Sequence, residues 1–195
     1  VVRSLMYRSV YNHRLNVVCN WLLDQLVRQA RLLGPGKIWA DRTMTAWLWE
    51  TQELDLESYL ANDDLRTGYH FQRWREEAPQ PLADLCDRFL NRRLFKALDV
   101  SQMDASTQLE LLAKAQTYAA KAGLDPEVCC GLRHHQIRGY HPYRGGLRLW
   151  DGQSLQALEQ CSPLVNSLAI PAASAWLIHP GDISIELKTA LAKVR

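Results

Sequence analysis

No stretch of about 18 consecutive apolar residues occurs in the chain, which excludes a membrane-spanning helix. A large excess of charge of one sign is also missing, since 23 Lys and Arg stand against 21 Asp and Glu. The net charge of +2 gives no bulk attraction to DNA or membrane, so any polyanion contact must come from a local cluster. Cysteine occurs five times, with neither a C-x-x-C pair nor a metal-ligand spacing. The odd number and apolar neighbours of Cys19, Cys86, Cys129, Cys130 and Cys161 predict buried thiols in a reducing compartment rather than a disulfide framework. No nucleophile elbow and no Ser-His-Asp or Cys-His grouping is present, so no residue is assigned a catalytic role. No signal-peptide pattern is visible, and the expected compartment is the cytoplasm.

The 195 residues suffice for one well-buried domain or two small packed subdomains. A hydrophobic share of 47% and a charged share of 23% are those of a globular chain and exclude a disordered one. Near the start, Leu15, Val18, Cys19, Leu22, Leu23, Leu26, Val27 and Ala30 recur every three or four residues, as the apolar stripe of a long helix. Gly34-Pro35-Gly36 should end it near Leu33. Ahead of that stripe, Arg3, Tyr7, Tyr11, Asn12, His13 and Arg14 gather cations, phenols and an imidazole. Such a mixture can hold phosphate, sugar and base together, or the phenols can pack on the core while the cations are solvated; the residues alone leave both open.

Asp41 and Asp55 are placed to cap short helices to Trp49 and over 56–61, and another helix is predicted from Asp64 to Glu76. Trp39, Trp47, Trp49, Tyr59, Tyr69, Phe71 and Trp74 fall at helical intervals here, which favours packing between helices over base stacking. Pro79 and Pro81 open the next helix, with Leu82, Leu85, Cys86, Phe89 and Leu90 as its buried stripe. Arg88, Arg92, Arg93 and Lys96 form the densest basic cluster in the chain, offset only by Asp84 and Asp87. Charge alone makes this a solvated face.

A helix over 106–122 follows, with Thr107 and Glu110 at capping-box spacing and Leu109, Leu112, Ala115, Ala119 and Ala122 as its apolar side. Beyond Gly123 the pattern changes to strands at 128–138, 146–150 and 173–179, a helix over 155–168 interrupted by Pro163, and a final helix over 183–194. His134-His135 and His141 carry no complementary acid or cysteine, and neighbours in a strand face opposite ways, so no metal site is predicted in this chain.

Two segments carry a family resemblance. Arg3-x-x-Met-Tyr-x-x-Val-Tyr-x-His-Arg14, followed downstream by Asp84-Leu-Cys-Asp-Arg-Phe-Leu-Asn-Arg-Arg-Leu-Phe-Lys96, resembles the C-terminal half of HD-domain phosphohydrolases. The branch most similar is that of the deoxynucleoside triphosphate triphosphohydrolases, including the eukaryotic enzyme that joins a sterile alpha motif to an HD domain. The implied fold is mainly α: a helical HD-phosphohydrolase C-terminal half over 1–123, then a small α+β subdomain over 124–195. The family's metal site, a histidine, a His-Asp doublet and a later aspartate, has no counterpart here, because no His-Asp doublet occurs. Those residues lie upstream in the family. Together with an opening valine and an opening helical segment lacking a Ser, Thr, Asp or Asn cap, this gives the expectation of a fragment, inactive in isolation, of a larger enzyme.

For the intact enzyme the resemblance implies a divalent metal, held by residues outside this chain, and hydrolysis of a deoxynucleoside triphosphate to deoxynucleoside and triphosphate. It also implies an activating nucleotide and a homo-oligomer. By motif position, Arg3 would bind substrate phosphate and Tyr11 would pack under the sugar, while Asn12 stands where the eukaryotic enzyme has glutamine. His13, Arg14 and Arg92 would line the effector-nucleotide site. A reading of another class is a non-catalytic nucleotide-sensing or protein-interaction module.

Overall fold

The structure, a computed structural model, describes Met6, Val10 and residues 13–50, 54–137, 146–169 and 172–192. The first helix, α1 (Arg14–Leu33), presents Val18, Leu22, Leu26 and Ala30 to the core, as the periodicity predicts. The expected uncapped opening segment lies outside the described residues, and this helix has a cap of its own. His13, in an extended conformation, caps the helix through Nδ1, which accepts from the Leu15 N–H at 3.3 Å. Leu15 is exposed and Val17 and Gln25 are buried, so the stripe is rotated from the predicted one at its N-terminal end. Gly34 ends the helix at φ 82, where a β-carbon would be strained.

α2 (Arg42–Trp49), α3 (Leu56–Ala61) and α4 (Asp64–Glu77) are capped by Asp41, Asp55 and Asp63, each accepting a backbone N–H in the first turn. The α2 cap is also tied to α4. Asp41 donates its own N–H to Nε2 of buried His70 at 3.2 Å and pairs with Arg66 at 3.1 Å. His70 Nδ1 faces the Arg66 carbonyl at 2.8 Å and therefore carries the ring proton. Trp39 stacks on His70, and Trp74 donates from Nε1 to the Trp39 carbonyl at 2.6 Å. The aromatic segment thus packs helix on helix, with Phe71 and Trp74 buried and only Tyr59 and Tyr69 well exposed among its rings.

α5 (Leu82–Leu90) buries Leu82, Leu85 and Cys86 against α1 and α4. The chain then enters β1 (Lys96–Asp99), a strand that the sequence reading did not anticipate. α6 (Ala105–Lys121) is capped by Asp104, which accepts from the Thr107 N–H, rather than by the predicted Thr107–Glu110 box. It buries Leu111, Ala115 and Ala119, leaving Leu109 and Ala122 exposed. After a short turn, α7 (Pro126–Cys129), comes β2 (Gly131–Ile137). β3 (Arg148–Trp150) pairs with β4 (Leu155–Ala157) around a turn in which Asp151 Oδ1 accepts from the Gln153 and Ser154 N–H groups. That turn makes 155–157 a strand, so the helix predicted over 155–168 is two short ones, α8 (Leu158–Cys161) and α9 (Pro163–Ala169).

β5 (Ala172–His179) is the central strand, antiparallel to both β1 and β2. Lys96 lies opposite His179 and Gly131 opposite Ile178. The sheet therefore takes one strand from before Gly123 and two from after it. A 3₁₀ turn, Gly181–Ile183, precedes the last helix, α10 (Ser184–Ala192), which packs on α6 through Leu187. The chain is mainly α with a small α+β part. No described helix is long and apolar enough to cross a membrane.

Trp21 of α1 crosses the start of β2. Its Nε1 donates to the Val128 carbonyl at 3.3 Å, the Arg133 guanidinium lies 5.1 Å from the ring, and Arg133 pairs with Asp24. A β-carbon on Gly131 would overlap the indole. Gly131→Ala is expected to destabilise by about 1–3 kcal/mol through this overlap, with Trp21→Leu partly restoring the variant, both read by urea denaturation. Cys86, Cys129 and Cys130 are buried as predicted, whereas Cys19 is half-buried and Cys161 is exposed. Burial pushes the Cys86 and Cys130 thiols up to about 12 and Cys129 to about 11. At pH 8 these three remain neutral thiols, so iodoacetamide should label Cys161 first and reach them only in denaturant, as peptide mass mapping would show.

Candidate phosphate-binding cleft

The basic cluster is not a plain helix face. α5 ends in a reversal in which the Arg93 N–H reaches the Arg88 carbonyl at 2.9 Å and the Arg92 N–H reaches the Phe89 carbonyl at 3.3 Å. This pair of bonds requires a left-handed residue between them, a place usually taken by glycine. Arg92 occupies it at φ 54. Left-handed backbone costs an ordinary residue roughly 1–2 kcal/mol, and such strain at a non-glycine residue points to a role for the side chain.

Phe95, 2% exposed, anchors the chain just past the turn, and β1 begins at Lys96. The first turn of α1 lies against this segment. Between them is a cleft of about 410 Å³ whose cations are Arg14, Arg92, Arg93 and Lys96, with Leu15 and Val18 on its apolar side. The first turn of α1 contains no acid to offset its positive end, and Arg14 adds to that end rather than opposing it. An anion would be stabilised here by the helix dipole and the guanidinium groups together.

The cations differ in how they are held. Arg88 is only 12% exposed in its side chain, pairs with Asp84 at 2.6 Å and lies 5.2 Å from the Phe95 ring, so it supports the cleft floor rather than facing a ligand. Arg93 pairs with Asp87 and comes within 3.9 Å of Asp84. Arg14, Arg92 and Lys96 have no acidic partner among the described residues. Opposite Lys96 in the sheet, His179 donates from Nδ1 towards the Pro180 carbonyl at 2.8 Å, and burial, with Lys96 and Lys188 nearby, disfavours its charged form.

Of the residues singled out in the sequence, Arg14 and Arg92 are brought together across this cleft, although 78 positions separate them in the chain. His13 caps α1 and is not part of the cleft lining. Arg3, Tyr11 and Asn12 lie outside the described residues. Arg93 and Lys96 were visible only as members of a charged run, and Leu15 was expected in the core. No group of three or more His, Cys, Asp or Glu able to hold a metal occurs among the described residues; His134 instead bonds to Gln108 Oε1 at 2.9 Å.

No family model matches the chain. The uncharacterized protein YwfO of Bacillus subtilis is 29% identical over 148 residues, which is 74% of this chain and 33% of that protein. Among solved structures, a phosphohydrolase from Bacteroides thetaiotaomicron superposes with a TM-score of 0.69 over 91% of this chain and 47% of its own, at 17% identity. A hypothetical protein from Aquifex aeolicus gives a TM-score of 0.59 over 97% of this chain and 42% of its own, at 16% identity. The chain thus shares the fold of part of a phosphohydrolase, and it spans about a third of the curated relative and under half of each solved structure.

Arg92→Gly relieves the backbone and Arg92→Ala does not. The glycine variant is expected to exceed the alanine variant in unfolding free energy by about 1 kcal/mol, measured by urea denaturation with matched slopes.

Proposed function

We propose that this chain is the C-terminal, substrate-lining and regulatory part of an HD-domain phosphohydrolase that cleaves deoxynucleoside triphosphates to deoxynucleoside and triphosphate. The observation that carries the reading is the convergence of Arg14 and Arg92, the two described effector residues of the family resemblance with guanidinium side chains, on one basic cleft. The phosphohydrolase likeness over 91% of the chain supports it. In this reading Arg3, Tyr11 and Asn12 serve the substrate, while His13, Arg14 and Arg92 serve an activating nucleotide in a homo-oligomer.

The described residues do not form a metal site, so no bond-breaking step is assigned to them. Their chemistry is electrostatic: fixed guanidinium groups neutralise phosphate oxygens and orient the chain of phosphates. The metal required by the family would be held by the HD residues of the longer protein. There it would lower the pKa of the attacking water.

The second reading is a nucleotide-sensing module without hydrolytic function, which the same cleft also fits, since binding there needs no metal ligand in this chain. Calorimetry with GTP and dGTP should give binding to this chain that Arg92→Ala or Arg14→Ala weakens by about tenfold or more, the usual size of a lost charge-assisted contact. Equal affinity in wild type and both variants would remove the cleft from either reading. Triphosphate release from dGTP by the longer protein with a divalent metal, and none by this chain, is the result expected of the enzyme; binding without turnover in the longer protein selects the sensor.

A further inference from the structure

The cleft contains an internal counter-ion that the family resemblance does not assign. We infer that the site selects anions by the number of linked phosphates, and that Asp87 sets the threshold by holding Arg93 away from shorter ligands. This rests on reading the cleft as a phosphate site.

The lining residues speak first to what part of a ligand can be read. Besides its four cations, the described wall consists of Leu15, Val18, Leu94, Phe95 and Ala97. None of these side chains can donate to or accept from the edge of a base, and the Phe95 ring is buried beneath the floor. The polar side chains of this described wall are all cations, and the strongest partners of such groups are phosphate oxygens.

The cations are of two kinds. Arg14, Arg92 and Lys96 meet no acid among the described residues and can engage an anion directly. Arg93 is already engaged: its guanidinium pairs with Asp87, whose other oxygen is held by Asn91 Nδ2 at 2.7 Å. Asn91 thus orients the carboxylate towards Arg93. The pair is partly exposed, with 56% of the Arg93 side chain open to solvent, so it is a modest restraint that a ligand of sufficient charge displaces.

Charge matching then depends on chain length. A lone phosphate carries about two negative charges near neutral pH, and each further linked phosphate adds about one. Three available cations match an orthophosphate or a diphosphate. Only a triphosphate carries the fourth charge that makes transfer of Arg93 from Asp87 to the ligand favourable. Asp84 pairs with Arg88 through Oδ2 at 2.6 Å while its Oδ1 lies 3.9 Å from Arg93, so the Arg88 contact against the Phe95 ring does not depend on the longer contact that Arg93 gives up on moving.

The test is calorimetric titration of the chain with orthophosphate, pyrophosphate and tripolyphosphate, without metal and at low salt. Affinity should rise with each phosphate, most steeply between pyrophosphate and tripolyphosphate. Asp87→Asn should tighten tripolyphosphate about two- to fivefold, the release of one exposed ion pair, and leave orthophosphate unchanged. Adding Arg93→Ala to that variant should abolish the gain, and Arg93→Ala alone should weaken tripolyphosphate selectively; the latter keeps the question open to decision even if the asparagine variant does not fold. Asp87→Asn that tightens all three anions equally, or none, overturns the threshold while leaving a phosphate site that Arg92→Ala still destroys. Wild-type protein that binds none of the three, or binds them as well as Arg92→Ala does, overturns the cleft reading itself.

Discussion

The left-handed residue at the end of α5 is the constraint on which the site depends. Leu82, Leu85 and Cys86 fix the helix in the core, and Phe95 fixes the chain again a few residues later. Between these anchors the backbone must reverse from helix to strand, and the two bonds from the Arg92 and Arg93 N–H groups close that reversal. With Arg92 at φ 54, the side chains of Arg92, Arg93 and Lys96 are delivered to the side where α1 begins. A straight continuation of the helix would have distributed the same charges around its surface.

The opposing wall is set by packing rather than by charge. Val18, Leu22 and Leu26 seat α1 against α5, and β1 lies beside it. Arg14 stands at the start of a helix whose first turn offers no acid. Arg14, Arg92 and Lys96 stand on this cleft with no acidic partner among the described residues, so an anion would supply the counter-charge they lack. Core burial elsewhere, through Trp74, Leu111, Leu177 and Leu187, supplies the stability that holds the left-handed turn in place.

The helices legible in the sequence were those with local instructions. Aspartate caps at Asp41 and Asp55, the glycine after Leu33 and the 3.6-residue spacing of α1 and α5 act within a turn or two, so their effect is visible in the residues themselves. β1 was not legible because Lys96-Ala-Leu-Asp99 has little strand preference; it becomes a strand only by pairing with β5, which lies about 80 positions away. In the hairpin, β3 falls within the predicted strand at 146–150 but β4 was missed for the same cause, since Leu155–Ala157 reads as helix until the Asp151 turn brings Arg148–Trp150 beside it. The cap of α6 was displaced because Asp104 competes better than Thr107 for the first free N–H groups.

By itself the sequence determined a mainly helical chain without a spanning helix, a cluster of arginines after α5, and the absence of a His-Asp doublet. Local chemistry of caps, periodicity and composition suffices for such conclusions. Only the tertiary structure decided that Arg14 and Arg92 share a cleft, that Arg88 belongs to its floor, and that Arg93 is held by Asp87. Those distinctions depend on which long-range surfaces pack and on a single left-handed backbone residue, and neither leaves a periodic trace in the order of amino acids.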